Sequence, residues 1–240
     1  MQTDTPHPAA APTARRERRT IRAALRALDA RWLLRPRDLE PGPELDRLLA
    51  PLLACAARVA EPGAAGHMLR VGRIAEATAR TAGWDPLRAA ELRVHGALHD
   101  LGKLAVGAAI LGKAGPLSED ERRSVERHAA AGFWLLAGAR APLLRTAARV
   151  AREHHEWWDG HGYPRRLAGK EIHPSARVVA IADVYDALTS TRPYRGALPP
   201  ETAVAIMREG RGTQFDPHLF DAFLEAWTLC TSHGPCLPAG

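Results

Sequence analysis

The sequence predicts an all-α protein, a bundle of helices with its functional centre inside. Apolar residues recur three and four positions apart in segment after segment, and no series of stretches alternates apolar with polar as half-buried strands would. Alanine, leucine and arginine, all good helix formers, abound, while aromatic residues are only 5%. Helix starts are marked as well. Ser118-Glu119-Asp120-Glu121 has the capping-box pattern, and Asp216-Pro217 is a cap followed by proline.

The elements follow in order. Residues 1–20, rich in Pro, Thr and Arg, are expected to form a disordered basic tail. Ile21, Leu25, Leu28 and Leu33 space a helix from Thr20 to about Leu34, which Pro36, Pro41 and Pro43 interrupt. Residues 44–60 return to helix on a stripe of Leu45, Leu48, Leu49, Leu52 and Leu53, so 21–60 reads as a helical extension. A helix over 67–82 stops at Gly83, and Pro86 opens the next, which ends near Leu101-Gly102. The capping box opens a helix running through His128, and Leu143, Leu144, Ala147, Ala148 and Val150 mark another over 142–158. Residues 174–190 are apolar almost all round, as a central buried helix would be. A last helix spans 217–229, leaving 229–240 as a flexible tail after a main domain over 61–228.

Composition bounds the rest. A chain of 240 residues with 46% apolar and 25% charged residues can bury a full core, as one generous domain with a short extension. The net charge is +6, and Arg15-Arg16-Glu17-Arg18-Arg19 supplies half of it, a run better read as a solvated arm than as a clamp for DNA or RNA. The remaining mild excess suits an anionic substrate. Cys55, Cys230 and Cys236 form no CxxC pair and no even framework, which excludes a disulfide scaffold and a thiolate zinc site. The first twenty residues lack a signal-peptide apolar core, and no run approaches the ~18 apolar residues that span a bilayer. The expected location is the cytoplasm.

Against this background His67, His99, Asp100, His128, His154, His155 and Asp183 stand out. Each lies near an element end or on an apolar stripe, where an unpaired polar group is costly. One alone reads as a hydrogen-bonded core residue. Together they offer imidazole and carboxylate donors, without thiolate, from several helices that a bundle can aim at one point. Such a mixed set favours Fe, Mn, Co or Zn over Mg or Ca. Two cations about 3.5–4 Å apart can share a carboxylate and hold a water for in-line attack on phosphorus. Asp100 is the expected bridge, because it adjoins a histidine and has an oxygen for each cation.

These residues fall into an ordered set of motifs. They are His99-Asp100-Leu101-Gly102-Lys103, then HHEWWDGHGYP at 154–164, then IADVYDALTS at 181–190, RPYR at 192–195 and RGTQFDP at 211–217. The chain from about residue 61 to 225 thereby resembles the HD-GYP domains, a branch of the HD phosphohydrolases that degrades cyclic di-GMP. The resemblance implies an HD-type helical bundle with a dimetal centre in its core. It makes ligands of the same seven residues and implies two divalent ions, Fe(II) or Mn(II). It implies that Lys103 assists departure of the ribose oxygen. Lys103 is one of only three lysines, and arginine could carry the charge but could not readily donate a proton. Arg192 and Arg195 suit phosphate or guanine contact because the guanidinium fork matches both, and with Lys103 and Asp186 they are the residues expected at the substrate. The loop Gly162-Tyr163-Pro164 is expected to shape either the substrate cleft or a surface for a diguanylate cyclase partner of the GGDEF type.

Two departures from the family pattern bear on detail. Gly63 stands where some members carry a glutamate that helps hold a third metal, so two metals are expected. Val106-Gly107-Ala108 replaces the frequent Ile-Pro-Asp after the lysine. The reading is hydrolysis of cyclic di-GMP to pGpG, with the second cleavage to GMP left open, and with a non-catalytic adaptor and a hydrolase of another cyclic nucleotide as the alternatives.

Overall fold

A computed structural model describes residues 12–34, 47, 49–54, 63–191 and 196–233. The described residues form helices α1 (Pro12–Leu34), α2 (within 49–54), α3 (Ala64–Thr81), α4 (Pro86–Leu98), α5 (Ala108–Leu111), α6 (Glu119–Leu136), α7 (Pro142–Glu153), α8 (Pro174–Thr189), α9 (Pro200–Arg208) and α10 (Pro217–His233). A 3-10 turn, Leu101–Ala105, follows α4. Among the described residues β pairing is confined to two isolated bridges, Asp159 with Ala168 and Arg211 with Phe215, so the all-α expectation is met.

Local chemistry sets the starts. Proline opens α4, α7, α8 and α9, where its missing N–H costs nothing. The Asp85 side chain accepts from the Leu87 and Arg88 amides, and Ser118 and Glu121 complete both halves of the capping box.

Several bounds differ from expectation. α1 is already helical at Pro12, so 12–19 belong to the helix; their Ala and Arg residues favour it once a turn has nucleated. α4 ends at Leu98 and the chain tightens into the 3-10 turn. α6 runs on to Leu136, α7 stops at Glu153 short of 158, and α10 continues to His233. Helix α9 is absent from the periodic reading, being too short to show a full stripe. Residues 1–11, the prolines at 36, 41 and 43, Leu45, Leu48, Cys55, Cys236 and the RPYR segment lie outside the described residues.

Two apolar clusters make the core. One joins Ile21, Leu25 and Leu28 of α1 and Leu49, Leu52 and Leu53 of α2 to Met68, Leu98, Leu136 and Leu144. The described residues of the extension thus share a core with the main domain. The other packs α8 (Val178, Val179, Ile181) against Ile74, Leu92, Val204, Phe215, Phe220 and Phe223. Helices α3 and α4 contribute to both clusters, and the two ends that carry His67 and His99 belong to the first of them.

One close approach controls the site. A Cβ on Gly102 would lie 1.9 Å from the His128 carbonyl oxygen and 2.5 Å from the Gly132 amide nitrogen. Only glycine lets the 3-10 turn lie against α6. Gly102→Ala should cost about 3 kcal/mol or more, read as a lower denaturation midpoint at unchanged m-value.

Buried His95 on α4 makes stability depend on acid. Burial first, and then the charge of His173, depresses its pKa from 6.5 to about 3. Its Nε2 lies 3.3 Å from the Leu143 carbonyl oxygen. In the unfolded chain His95 takes up a proton as pH falls through 6.5, whereas the fold refuses it until about 3. The stabilisation is therefore complete above pH 6.5 and is lost on acidification at up to about 1.4 kcal/mol per pH unit. His95→Gln should flatten the unfolding free energy between pH 6 and 4; an unchanged slope would refute the assignment.

Candidate metal centre

The histidines reach one point from different elements. His67 lies in the first turn of α3, and His99 and Asp100 follow α4 directly. His128 is in mid-α6, and His154-His155 follow the last residue of α7. Asp183 comes from α8. All seven expected residues fall into three overlapping groups whose donor atoms lie within 4.8 Å of one another: His67, His99 and Asp100; His99, His154 and Asp183; His128, His154 and His155.

Backbone carbonyls orient most of the rings. His99 Nδ1 donates to the Gly96 carbonyl at 2.6 Å, His128 Nδ1 to Val125 at 2.7 Å, and His154 Nδ1 to Ala151 at 3.1 Å. A carbonyl can only accept, so each Nδ1 carries a proton and each Nε2 is turned toward the centre. Asp100 stands in the middle. Its Oδ2 lies 2.6 Å from Lys103 Nζ, 3.4 Å from His99 Nε2 and 3.8 Å from His67 Nε2. Its Oδ1 faces the other way, 3.3 Å from His128 Nε2 and 3.9 Å from His154 Nε2. Asp183 Oδ1 lies 3.2 Å from His67 Nε2 and 3.7 Å from His99 Nε2.

The electrostatics call for a cation. His67 Nε2, His99 Nε2 and Asp100 Oδ1 are buried without a hydrogen-bond partner among the described residues. Orphaned polar atoms are costly unless something satisfies them. Burial alone would raise Asp100 and Asp183, yet Lys103 with His99 and His128 holds Asp100, and His67 with His99 holds Asp183, well below the ordinary carboxylate range. Burial lowers His99, but Asp100 and Asp183 outweigh it and lift the ring to about 10. Burial and the facing imidazoles keep His154 and His155 depressed, the latter to about 3. Two buried ionised carboxylates, with His99 drawn toward the charged form beside them and His154 and His155 held neutral, are a set that a divalent cation would satisfy in place of protons.

Lys103 reaches Asp100 through the 3-10 turn rather than along a continued α-helix, three residues on from the carboxylate. The GYP loop is part of the site wall. Tyr163 stacks on His155 with ring centroids 4.7 Å apart, and its amide donates to the His155 carbonyl at 3.0 Å. A Cβ on Gly162 would sit 2.3 Å from the Trp157 amide nitrogen, so glycine alone permits this fold-back. The Tyr163-Pro164 peptide is cis. Glu156, in the same motif, turns away from the histidines and accepts from the Arg165 and Leu167 amides at 2.7 and 3.0 Å.

Asp186 corrects an expectation. It is fully buried, its Oδ2 takes the His67 Nδ1 proton at 2.7 Å, and Arg70 covers both oxygens, so no edge faces a substrate. The i, i+3 spacing from Asp183 was the available signal that both carboxylates share one face of α8. Arg192 and Arg195 lie outside the described residues, although Ser190 ends α8 just before them.

An all-α bundle with this donor set is a divalent-metal protein, and comparison with known proteins agrees. The family described as "HD domain" matches residues 49–219. The cyclic di-GMP phosphodiesterase response regulator RpfG of Xanthomonas campestris pv. campestris is 34% identical over 210 residues, which are 88% of this chain and 55% of that protein. The 3'3'-cGAMP-specific phosphodiesterase 3 of Vibrio cholerae is 41% identical over 177 residues, 74% of this chain and 38% of that one. Among solved structures, "Bd1817, a HDG"Y"P protein from Bdellovibrio bacteriovorus" shares the fold with a TM-score of 0.58 at 14% identity, covering 93% of this chain and 75% of that one. The chain belongs to the HD domain family and is of the HD-GYP type. It spans about half the length of the curated relatives it matches. No helix among the described residues is long and apolar enough to cross a membrane.

Proposed function

We propose that the chain is a metal-dependent phosphodiesterase that hydrolyses cyclic di-GMP to linear pGpG and on to GMP. The observation that carries it is the convergence of seven imidazole and carboxylate side chains with Lys103 beside them. The two oxygens of Asp100 face different histidines, which supports two ions, Fe(II) or Mn(II), sharing this carboxylate. When bound, such ions acidify water and neutralise phosphate charge. The side chains do the rest. His67, His99, His128, His154 and His155 would hold the ions through ring nitrogens that give up any proton on metal binding, and Lys103 donates a proton to the leaving ribose oxygen as the P–O bond breaks. Arg192 and Arg195 are proposed to grip phosphate or guanine. Tyr163 and Gly162 hold His155 in place and wall the cleft. Hydrolysis in the cytoplasm, where thiols stay reduced and ferrous iron is available, belongs to the same reading.

Anaerobically purified protein reconstituted with Fe(II) or Mn(II) should convert cyclic di-GMP to pGpG. Full metal loading without turnover by either ion would sink the proposal. The cGAMP-specific relative favours a second substrate reading, 3'3'-cGAMP, which parallel assays with the two dinucleotides decide. The exposed rim of the GYP loop, Trp157, His161 and Pro164, is the surface we assign to a GGDEF-type partner. Rescue of a deletion by a His99→Ala, Asp100→Ala double variant would turn the reading from enzyme to adaptor.

A further inference from the structure

His67 is held differently from the histidines whose Nδ1 partner is a backbone carbonyl. His99, His128 and His154 each donate to a carbonyl three residues back in their own helix. His67 sits in the first turn of α3, and its Nδ1 turns away from its own helix to an acceptor on α8, the Asp186 carboxylate at 2.7 Å. Asp186 is itself fixed from two sides. Arg70 donates through Nε to Oδ1 at 2.5 Å and through Nη2 to Oδ2 at 3.0 Å. The same Nη2 reaches Ser190 Oγ at 2.9 Å, and that hydroxyl lies 3.3 Å from Asp186 Oδ2. His67 and Arg70 are one turn apart on α3, as are Asp183 and Asp186 on α8. The two helices therefore interlock, with His67 Nε2 toward Asp183 and His67 Nδ1 toward Asp186.

We infer that Asp186, clamped by Arg70 and Ser190, is a positioning residue that sets the tautomer and aim of His67 and raises its strength as a metal ligand. A carboxylate acceptor pushes more electron density into an imidazole than a carbonyl does, so Nε2 becomes a better donor. Burial makes the device rigid, because neither Asp186 oxygen is left for water. The inference rests on the metal-centre reading and adds to it the residues that tune one ligand.

Mn(II) binding to the purified full chain, followed by electron paramagnetic resonance of the free ion, tests it without reference to turnover. Asp186→Asn should weaken one class of bound Mn(II) by about 10–100-fold while the other class is retained. Arg70→Lys, which keeps the charge but loses the two-pronged grip, should weaken the same class by a smaller factor. Should Asp186→Asn fail to melt cooperatively, Arg70→Lys and Ser190→Ala carry the test, since both leave the carboxylate in place. Unchanged Mn(II) affinity in the folded variants, beside normal binding by the unsubstituted chain, would overturn the inference alone. Absence of Mn(II) binding by the unsubstituted chain would overturn the metal-centre reading and this inference with it.

Discussion

Asp100→Asn should lose both metal retention and hydrolysis, with kcat/KM falling by at least ~10³-fold, about 4 kcal/mol at the barrier. Asp100 touches both sides of the centre, with Oδ2 toward His67, His99 and Lys103 and Oδ1 toward His128 and His154. No other side chain in the cluster faces so many partners, so no neighbour can take its place. An amide keeps the shape but brings an N–H against imidazole lone pairs and removes the negative charge. The exchange leaves every apolar side chain of the two clusters in place, and the apo variant should still melt cooperatively. Metal analysis of the purified variant, run beside a product assay, checks both halves. A variant that keeps its full metal complement and activity within tenfold of the parent would remove Asp100 from the bridging role.

Lys103→Met should lower kcat by about 10²–10³-fold with metal content unchanged. Nζ lies 2.6 Å from the central carboxylate and the side chain is 20% exposed, so it stands at the edge between the buried centre and the cleft. Methionine fills the same space without a proton to give. Lys103→Arg separates the two roles that charge could play, because guanidinium stabilises an anion yet does not release a proton near neutral pH. Recovery by arginine would assign Lys103 to charge stabilisation. Activity of the methionine variant within about threefold of the parent would dismiss it from the chemistry.

The seven candidate ligands were legible because each breaks the apolar pattern of its own helix, as His99-Asp100 does after HGAL and Asp183 does inside VVAIADVY. A polar group in such a place needs a partner, and several such groups need a common one. Asp186 breaks the same helix in the same way but faces His67 Nδ1 and Arg70 instead of the cleft. Nothing within α8 distinguishes the two aspartates. Their roles are set by which edge of the His67 ring each one meets. Gly162 and Tyr163 follow the histidine pair by several positions in the chain, yet they fold back onto His155. The extension read as an annex because its helices are separated by prolines. Its buried Ile21, Leu28, Leu49 and Leu52 nonetheless complete the core beside Met68 and Leu98.

Periodicity, caps and prolines are local, and they sufficed to specify an all-α chain, most helix starts and the residues that converge on the candidate centre. Helix ends, the shared core of extension and domain, and the division of the carboxylates between facing the centre and holding a histidine depend on contacts between residues up to about 120 positions apart. Such contacts follow from packing, where a side chain's task is chosen by what lies across from it.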